Sequence, residues 1–214
     1  MELYAPPPGF VPTYTWANKP ATYPTGQPVF ISNVGKGALC YYDGTRWRRV
    51  NGIANLKTLD ASTGNIDNNE TLAVQYLMPA AFLSVGDRIR IRGTFTKSGT
   101  TDTGTFNIRI GTAGTTSDDL INPSAATILN AAGLNYGFDV DVRFESATLA
   151  RTMGVNNAQN AIGYAAVVNN AQAAGVVISN ISNALYVSLF IKSSSTNNTV
   201  ALSDAQIDVV DSAA

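Results

Sequence analysis

The residues best able to do chemistry in this chain are carboxylates. Asp139 and Asp141 lie two apart in a strand-like stretch, so they share one face. Such a pair would bind Ca²⁺ or serve glycoside hydrolysis. Arg143 follows on the same face, and Arg88, Arg90, Arg92 and Arg109 occupy the polar faces of other strands. Cross-strand charge pairing is the simpler account of the two aspartates. Asp118-Asp119 lacks the periodic spacing of a calcium loop and reads as a turn or a helix cap. The glycine-rich turns at 35–37 and 111–119 carry no phosphate-loop lysine, and no dinucleotide fingerprint is present. Cys40 is the single cysteine and reads as a small buried hydrophobe. With no histidine anywhere, a Ser-His-Asp triad, a Cys-His pair and a histidine zinc site are excluded. No enzyme, metal site or cofactor is expected.

A second group of reactive side chains crowds residues 38–52, "ALCYYDGTRWRRVNG". Aromatic and basic residues together fit a sugar site, a nucleic-acid site, a docking surface or the core of a very small β-unit. The Asp43-Gly44 pair signals a hairpin with a two-residue loop. That register would put Cys40 opposite Trp47 and Tyr41 opposite Arg46. Cys40, Tyr42, Thr45 and Trp47 would share one face, and Leu39, Tyr41, Arg46 and Arg48 the other. An isolated hairpin is marginal in water, so the Trp47 face needs a cover. The proline-rich arm, the following domain or a neighbouring subunit would each supply one.

The elements that must position these groups are strands. Alternation is regular at 71–79 and at 87–97, where Ile89, Ile91 and Phe95 face inward. It recurs at 104–111 (Phe106, Ile108, Ile110) and at 137–146 (Phe138, Val140, Val142, Phe144). It returns at 184–193 (Leu185, Val187, Leu189, Ile191) and at 205–211. Weaker candidates lie at 147–155, 160–168 and 174–181. Residues 124–133 read as a short helix ended by Gly133, and 53–72 as a polar connector. The pattern predicts an all-β fold: an antiparallel β-sandwich of jelly-roll type over 53–214. A small β-hairpin unit at 29–52 precedes it.

Seven of the nine prolines fall within residues 1–28. Proline fixes φ and lacks an N–H, so this segment is expected as an extended arm. It also carries Tyr4, Phe10, Tyr14, Trp16 and Tyr23, more aromatic surface than a linker needs. These five, with Tyr41, Arg46, Trp47 and Arg48 of the hairpin, are the expected protein-protein anchoring residues. The arm is expected to be separable from a folded remainder. Charged residues make up only 14% of the chain and the net charge is −1, so neither nucleic acid nor anionic lipid is an expected partner. The N-terminus lacks a basic and an apolar signal region, and no run would span a bilayer. A soluble chain made in the cytosol, with no membrane insertion, is expected.

Residues 28–52, "PVFISNVGKGALCYYDGTRWRRVNG", resemble a segment of tailed-bacteriophage virion proteins. There a strand and a glycine-rich turn lead into an aromatic-DG-x-x-W hairpin. Residues 82–119 resemble the opening of a β-sandwich domain of phage fibre, neck-appendage and head-decoration proteins. The resemblance covers about residues 28–120, and the rest matches in composition only. It implies a homo-oligomer, often a trimer, with an N-terminal part anchored to capsid or tail proteins and a β-domain facing outward. The location implied is the virion, as a capsid decoration or head-fibre subunit. The alternative is a tail-fibre or spike module that recognises host surface glycan, with Tyr164 or Tyr186 stacking on sugar.

Overall fold

The computed structural model describes residues 11–35, 37–50, 52–59, 69–97, 103–121, 126–129, 135–154, 175–193 and 199–212. Among them the structure is all-β, with antiparallel sheets and no helix. In chain order the strands are β1 (Thr13–Tyr14), β2 (Pro28–Ile31), β3 (Ala38–Tyr42), β4 (Trp47–Arg49), β5 (Ile53–Leu59), β6 (Thr71–Met78), β7 (Arg88–Lys97) and β8 (Thr103–Gly111). They continue as β9 (Asp119–Leu120), β10 (Ala126–Leu129), β11 (Asn135–Ser146), β12 (Leu149–Gly154), β13 (Val176–Val177), β14 (Leu185–Ser193) and β15 (Val200–Val210).

Three sheets form. The first is small, with the order β1-β2-β3-β4; the second is β10-β8-β14-β6, with β9 beside β8; the third is β13-β12-β11-β7-β15-β5. In the two larger sheets the pairing is nested. β5 pairs with β15, β6 with β14, β7 with β11 and β8 with β10, all antiparallel. Alternation explains which faces are inside. Ile89 and Ile91 of β7, Val142 and Phe144 of β11, and Ile207 and Val209 of β15 are buried. So are Phe106, Ile108 and Ile110 of β8 and Val187, Leu189 and Ile191 of β14. The two inner faces belong to one hydrophobic cluster. Phe106 and Phe138 meet across it, with ring centroids 5.0 Å apart.

Three expectations are corrected. The polar connector at 53–72 contains β5, whose Ala54 and Leu56 are buried while it pairs with β15. The alanine-rich stretch at 124–133 is not helical where it is described. Ala126–Leu129 is the strand β10 on the edge of β8, and sheet completion overrides a weak local helix preference. The small sheet is a sheet of four strands rather than a hairpin alone, because the arm supplies β1, which runs parallel to β2. The candidate strand at 160–168 and the side chain of Phe95 lie outside what is described.

Candidate functional site

The inner face of the small sheet carries Val29, Ile31, Ala38 and Cys40, all buried, followed on β4 by Trp47 and Arg49. The turn after β3 differs from the sequence expectation. Tyr42 pairs with Trp47, Tyr41 with Arg48 and Cys40 with Arg49. The loop is therefore four residues, Asp43 to Arg46, closed by the Asp43 N–H donating to the Arg46 carbonyl at 3.0 Å. The Asp43 side chain causes this. One of its oxygens accepts from the Thr45 N–H (2.9 Å), the Thr45 hydroxyl (2.7 Å) and the Arg46 N–H (2.8 Å), and the other accepts from Arg48 Nε at 2.7 Å. A local carboxylate cap outcompetes the tight Asp-Gly turn. The Arg48 guanidinium, then the N–H groups of Arg46 and Thr45, hold the Asp43 carboxyl well below the usual carboxylate range. The slip is by two, so the side-chain faces of β3 and Trp47 are as expected. Tyr41 does not face Arg46, and the residue opposite Trp47 is a second ring, Tyr42, at 5.8 Å.

The arm covers this face. Tyr23 is buried and packs on Trp47 at 5.7 Å, and Trp47 Nε1 donates to the Pro20 carbonyl at 3.0 Å. Trp16 is buried edge-on against Phe82 at 4.8 Å, its Nε1 donating to the Ala80 carbonyl at 3.1 Å. Tyr14 is half-buried against Tyr23. Of the expected anchors, Trp16, Tyr23 and Trp47 thus pack within this chain, so residues 11–28 are not separable from the small sheet. Tyr41 lies on its outer face, and Tyr4 and Phe10 lie outside the described residues.

Arg49 holds the small sheet to the rest of the molecule, and sequence reasoning missed it. Its guanidinium is 4% exposed and pairs with Asp211, with Asp87 at 3.7 Å. It also donates to the Phe82 carbonyl at 3.2 Å and lies over the Phe82 ring at 4.3 Å. Phe82 is thus held between Arg49 and Trp16. Burial pushes the Arg49 guanidinium down to about 10, with Asp87 opposing, so the group keeps its charge at neutral pH. Arg46 and Arg48 reach the same place, donating to Ser212 Oγ at 2.7 Å and to the Ser212 carbonyl at 2.8 Å. A second contact is backbone-close. Gly35 has φ +55, its N–H donates to the Tyr76 hydroxyl at 2.9 Å, and a Cβ there would overlap the Asn55 carbonyl. The signal that could have found Arg49 is parity, since it stands two residues after Trp47 on the same face. Its partner Asp211 is 162 residues away, and no local pattern points to it.

Between the arm and the hairpin turn lies a cleft of ≈ 150 Å³. Its aromatic wall is Trp16, Tyr42, Trp47 and Phe82, and its two cations are Lys19 and Arg46. Ala81 forms part of it with φ +53, a left-handed conformation costly for alanine. Cys40 is buried nearby, and burial pushes its thiol up to about 11 against the opposing charges of Arg49 and Lys19.

Comparison with protein families, with curated proteins and with solved structures finds no match. The remaining sequence candidates resolve into structural roles. Asp139 pairs with Arg90, and Asp141 with Arg88 at 3.4 Å. Burial pushes the Asp141 carboxyl up, with Arg88 and Arg90 opposing. Asp118 accepts from the N–H groups of Ala113 (3.0 Å) and Gly114 (2.7 Å) and shapes a turn. Tyr186 is half-buried beside Gly114, and Tyr164 is outside the described residues. Among the described residues, no group of three or more acidic, cysteine or histidine side chains is placed to hold a metal ion. Among them, too, no helix is long and apolar enough to cross a membrane.

Proposed function

We propose that this chain is a structural protein of a bacteriophage virion, a capsid decoration or head-fibre subunit that works as a homo-oligomer, a trimer in the simplest case. Its larger part is read as a jelly roll projecting from the particle. The nested pairing supports that reading: of β5, β6, β7, β8, β10, β11, β14 and β15, taken in chain order, the first lies beside the last, and so inward to the fourth beside the fifth (β8 and β10). The observation that carries the functional reading concerns the segment with the most specific resemblance. Strands β2, β3 and β4, from that segment, are the core of a small sheet that docks on the larger body through Arg49 and through Gly35. In this reading the small sheet is the attachment unit and the larger body the outward domain.

In this reading the shell is contacted by Tyr4 and Phe10 and by the outer face of the small sheet, where Leu39 and Val50 are 42% and 44% exposed. Trp16, Tyr23 and Trp47 build the unit rather than grip the partner. The test is the position of the chain on the particle. Labelled copies arrayed over the head are expected. A few copies confined to the tail tip would replace this reading with the receptor-binding one.

A further inference from the structure

The cleft between arm and hairpin has an unusual balance of charge. Lys19 and Arg46 line it, and none of its lining residues is acidic, although the chain as a whole has net charge −1. Arg46 is partly neutralised by Asp87 at 3.8 Å. Lys19 is not: its ammonium donates to the Trp16 carbonyl at 3.1 Å and sits 4.1 Å over the Trp16 ring. Burial pushes the Lys19 amine down, and among the described residues this half-buried cation has no paired carboxylate. A buried charge is costly unless paired.

Three of the cleft's other polar groups are already engaged, leaving the hydroxyls of Tyr42 and Ser84. Both indole N–H groups donate to backbone carbonyls, of Ala80 and Pro20. The Thr45 hydroxyl donates to Asp43. Trp16 and Phe82 are buried, so neither offers an open ring face. The half-buried Tyr42 and Trp47 leave some ring surface, but the charged capacity of the cleft is entirely cationic, which favours an anion over a neutral sugar. Apolar walls, two cations and ≈ 150 Å³ suit one short side chain that ends in a carboxylate.

We propose that the cleft is a socket for an aspartate or glutamate side chain of a protein partner in the assembly, with Lys19 as the pairing cation and Arg46 beside it. This rests on the reading of the chain as an assembly component and gives that reading a specific contact.

The chain has two tryptophans, and both line the cleft. Their two indole ¹⁵N–¹H signals therefore report on it alone. The full-length protein is titrated with doubly blocked glutamate, with doubly blocked glutamine and with galacturonate. Expected is a saturable shift of both indole signals with the glutamate probe, with binding at least about tenfold weaker for the glutamine probe. Lys19→Gln is expected to remove the preference for the acid, and Lys19→Arg to retain it. The Trp47 indole signal, whose ring packs on Tyr23 and Tyr42 rather than under Lys19, establishes that the cleft is intact when it keeps its wild-type position in each variant. Equal response to acid and amide, no response to either, or tighter binding of galacturonate than of blocked glutamate would overturn the proposal. The titration does not depend on where the chain sits on the particle, so its failure and a failure of the localisation experiment are told apart.

Discussion

Two places in this protein set three arginines against three aspartates, and they differ in almost everything else. On the outer face of the six-stranded sheet, Arg88, Arg90 and Arg92 meet Asp141, Asp139 and Asp208. Under the small sheet, Arg46, Arg48 and Arg49 meet Asp87, Asp43 and Asp211. Arg90 and Asp139 are 44% and 45% exposed, whereas Arg49 and Asp211 are 4% and 8% exposed. Solvent screens the first pair, and such pairs contribute about 0–1 kcal/mol. Water is excluded from the second, so removing Asp211 leaves Arg49 buried with Asp87, at 3.7 Å, as its remaining carboxylate among the described residues. Losing a buried partner costs up to about 3–5 kcal/mol, although the intact pair itself is not strongly stabilising. Residue type does not distinguish Arg90–Asp139 from Arg49–Asp211; burial does. The ladder neutralises a sheet face, and the junction decides whether the small sheet stays docked.

The largest effect separating the two is expected for Asp211→Asn. It should lower the stability of the docked small sheet by up to about 3–5 kcal/mol, read by tryptophan fluorescence in urea, since Trp16 and Trp47 both belong to that unit. Gly35→Ala comes next, at about 1–3 kcal/mol for the left-handed backbone, with the collision against Asn55 in addition. Gly26→Ala is the control, because Gly26 has φ +79 but open space around it, and a thermal melt should rank it well below Gly35→Ala. Asp43→Ala should cost about 1 kcal/mol by uncapping the turn. It should also remove a pH dependence. The folded-state carboxyl of Asp43 lies below its unfolded value, so its contribution is whole above about pH 4 and fades as pH falls below that. Acid titration of both proteins should show this loss in the wild type and not in the variant. The smallest effect belongs to the ladder, where a double-mutant cycle on Arg90 and Asp139 should give less than about 1 kcal/mol and shrink with salt.

The same contrast marks what the sequence could disclose. Strands β6, β7, β8, β11 and β14 are legible because apolar residues recur at every second position in each, although β8 and β14 are buried on both faces. β5 is hidden by Asn55 and Lys57, whose polarity suits the outer face of a sheet and equally a loop. The alanines of 124–133 favour a helix locally, and pairing with the preceding long strand β8 makes Ala126–Leu129 a strand. Asp-Gly predicted the right turn position but the wrong length, because propensity rules do not register that Asp43 bonds to its own loop. The aromatic anchors were legible as a group. That Trp16 would settle on Phe82 and Tyr23 on Trp47, rather than on a partner, depends on tertiary contacts that no local pattern encodes. No local pattern singles out Arg49 for the same reason.

The central claim is that the arm and hairpin form one unit whose docking depends on the buried charge of Arg49. Cys40 tests it directly, being the single thiol, buried in that unit. The measurement is the rate of Cys40 alkylation at fixed pH in wild type and in Asp211→Asn, with far-UV circular dichroism of the same samples. The account predicts slow labelling in the wild type and an acceleration of about a hundredfold or more in the variant, with the β signal largely retained. Wild-type labelling at the rate of an unfolded thiol, or a variant no faster than wild type, would contradict it.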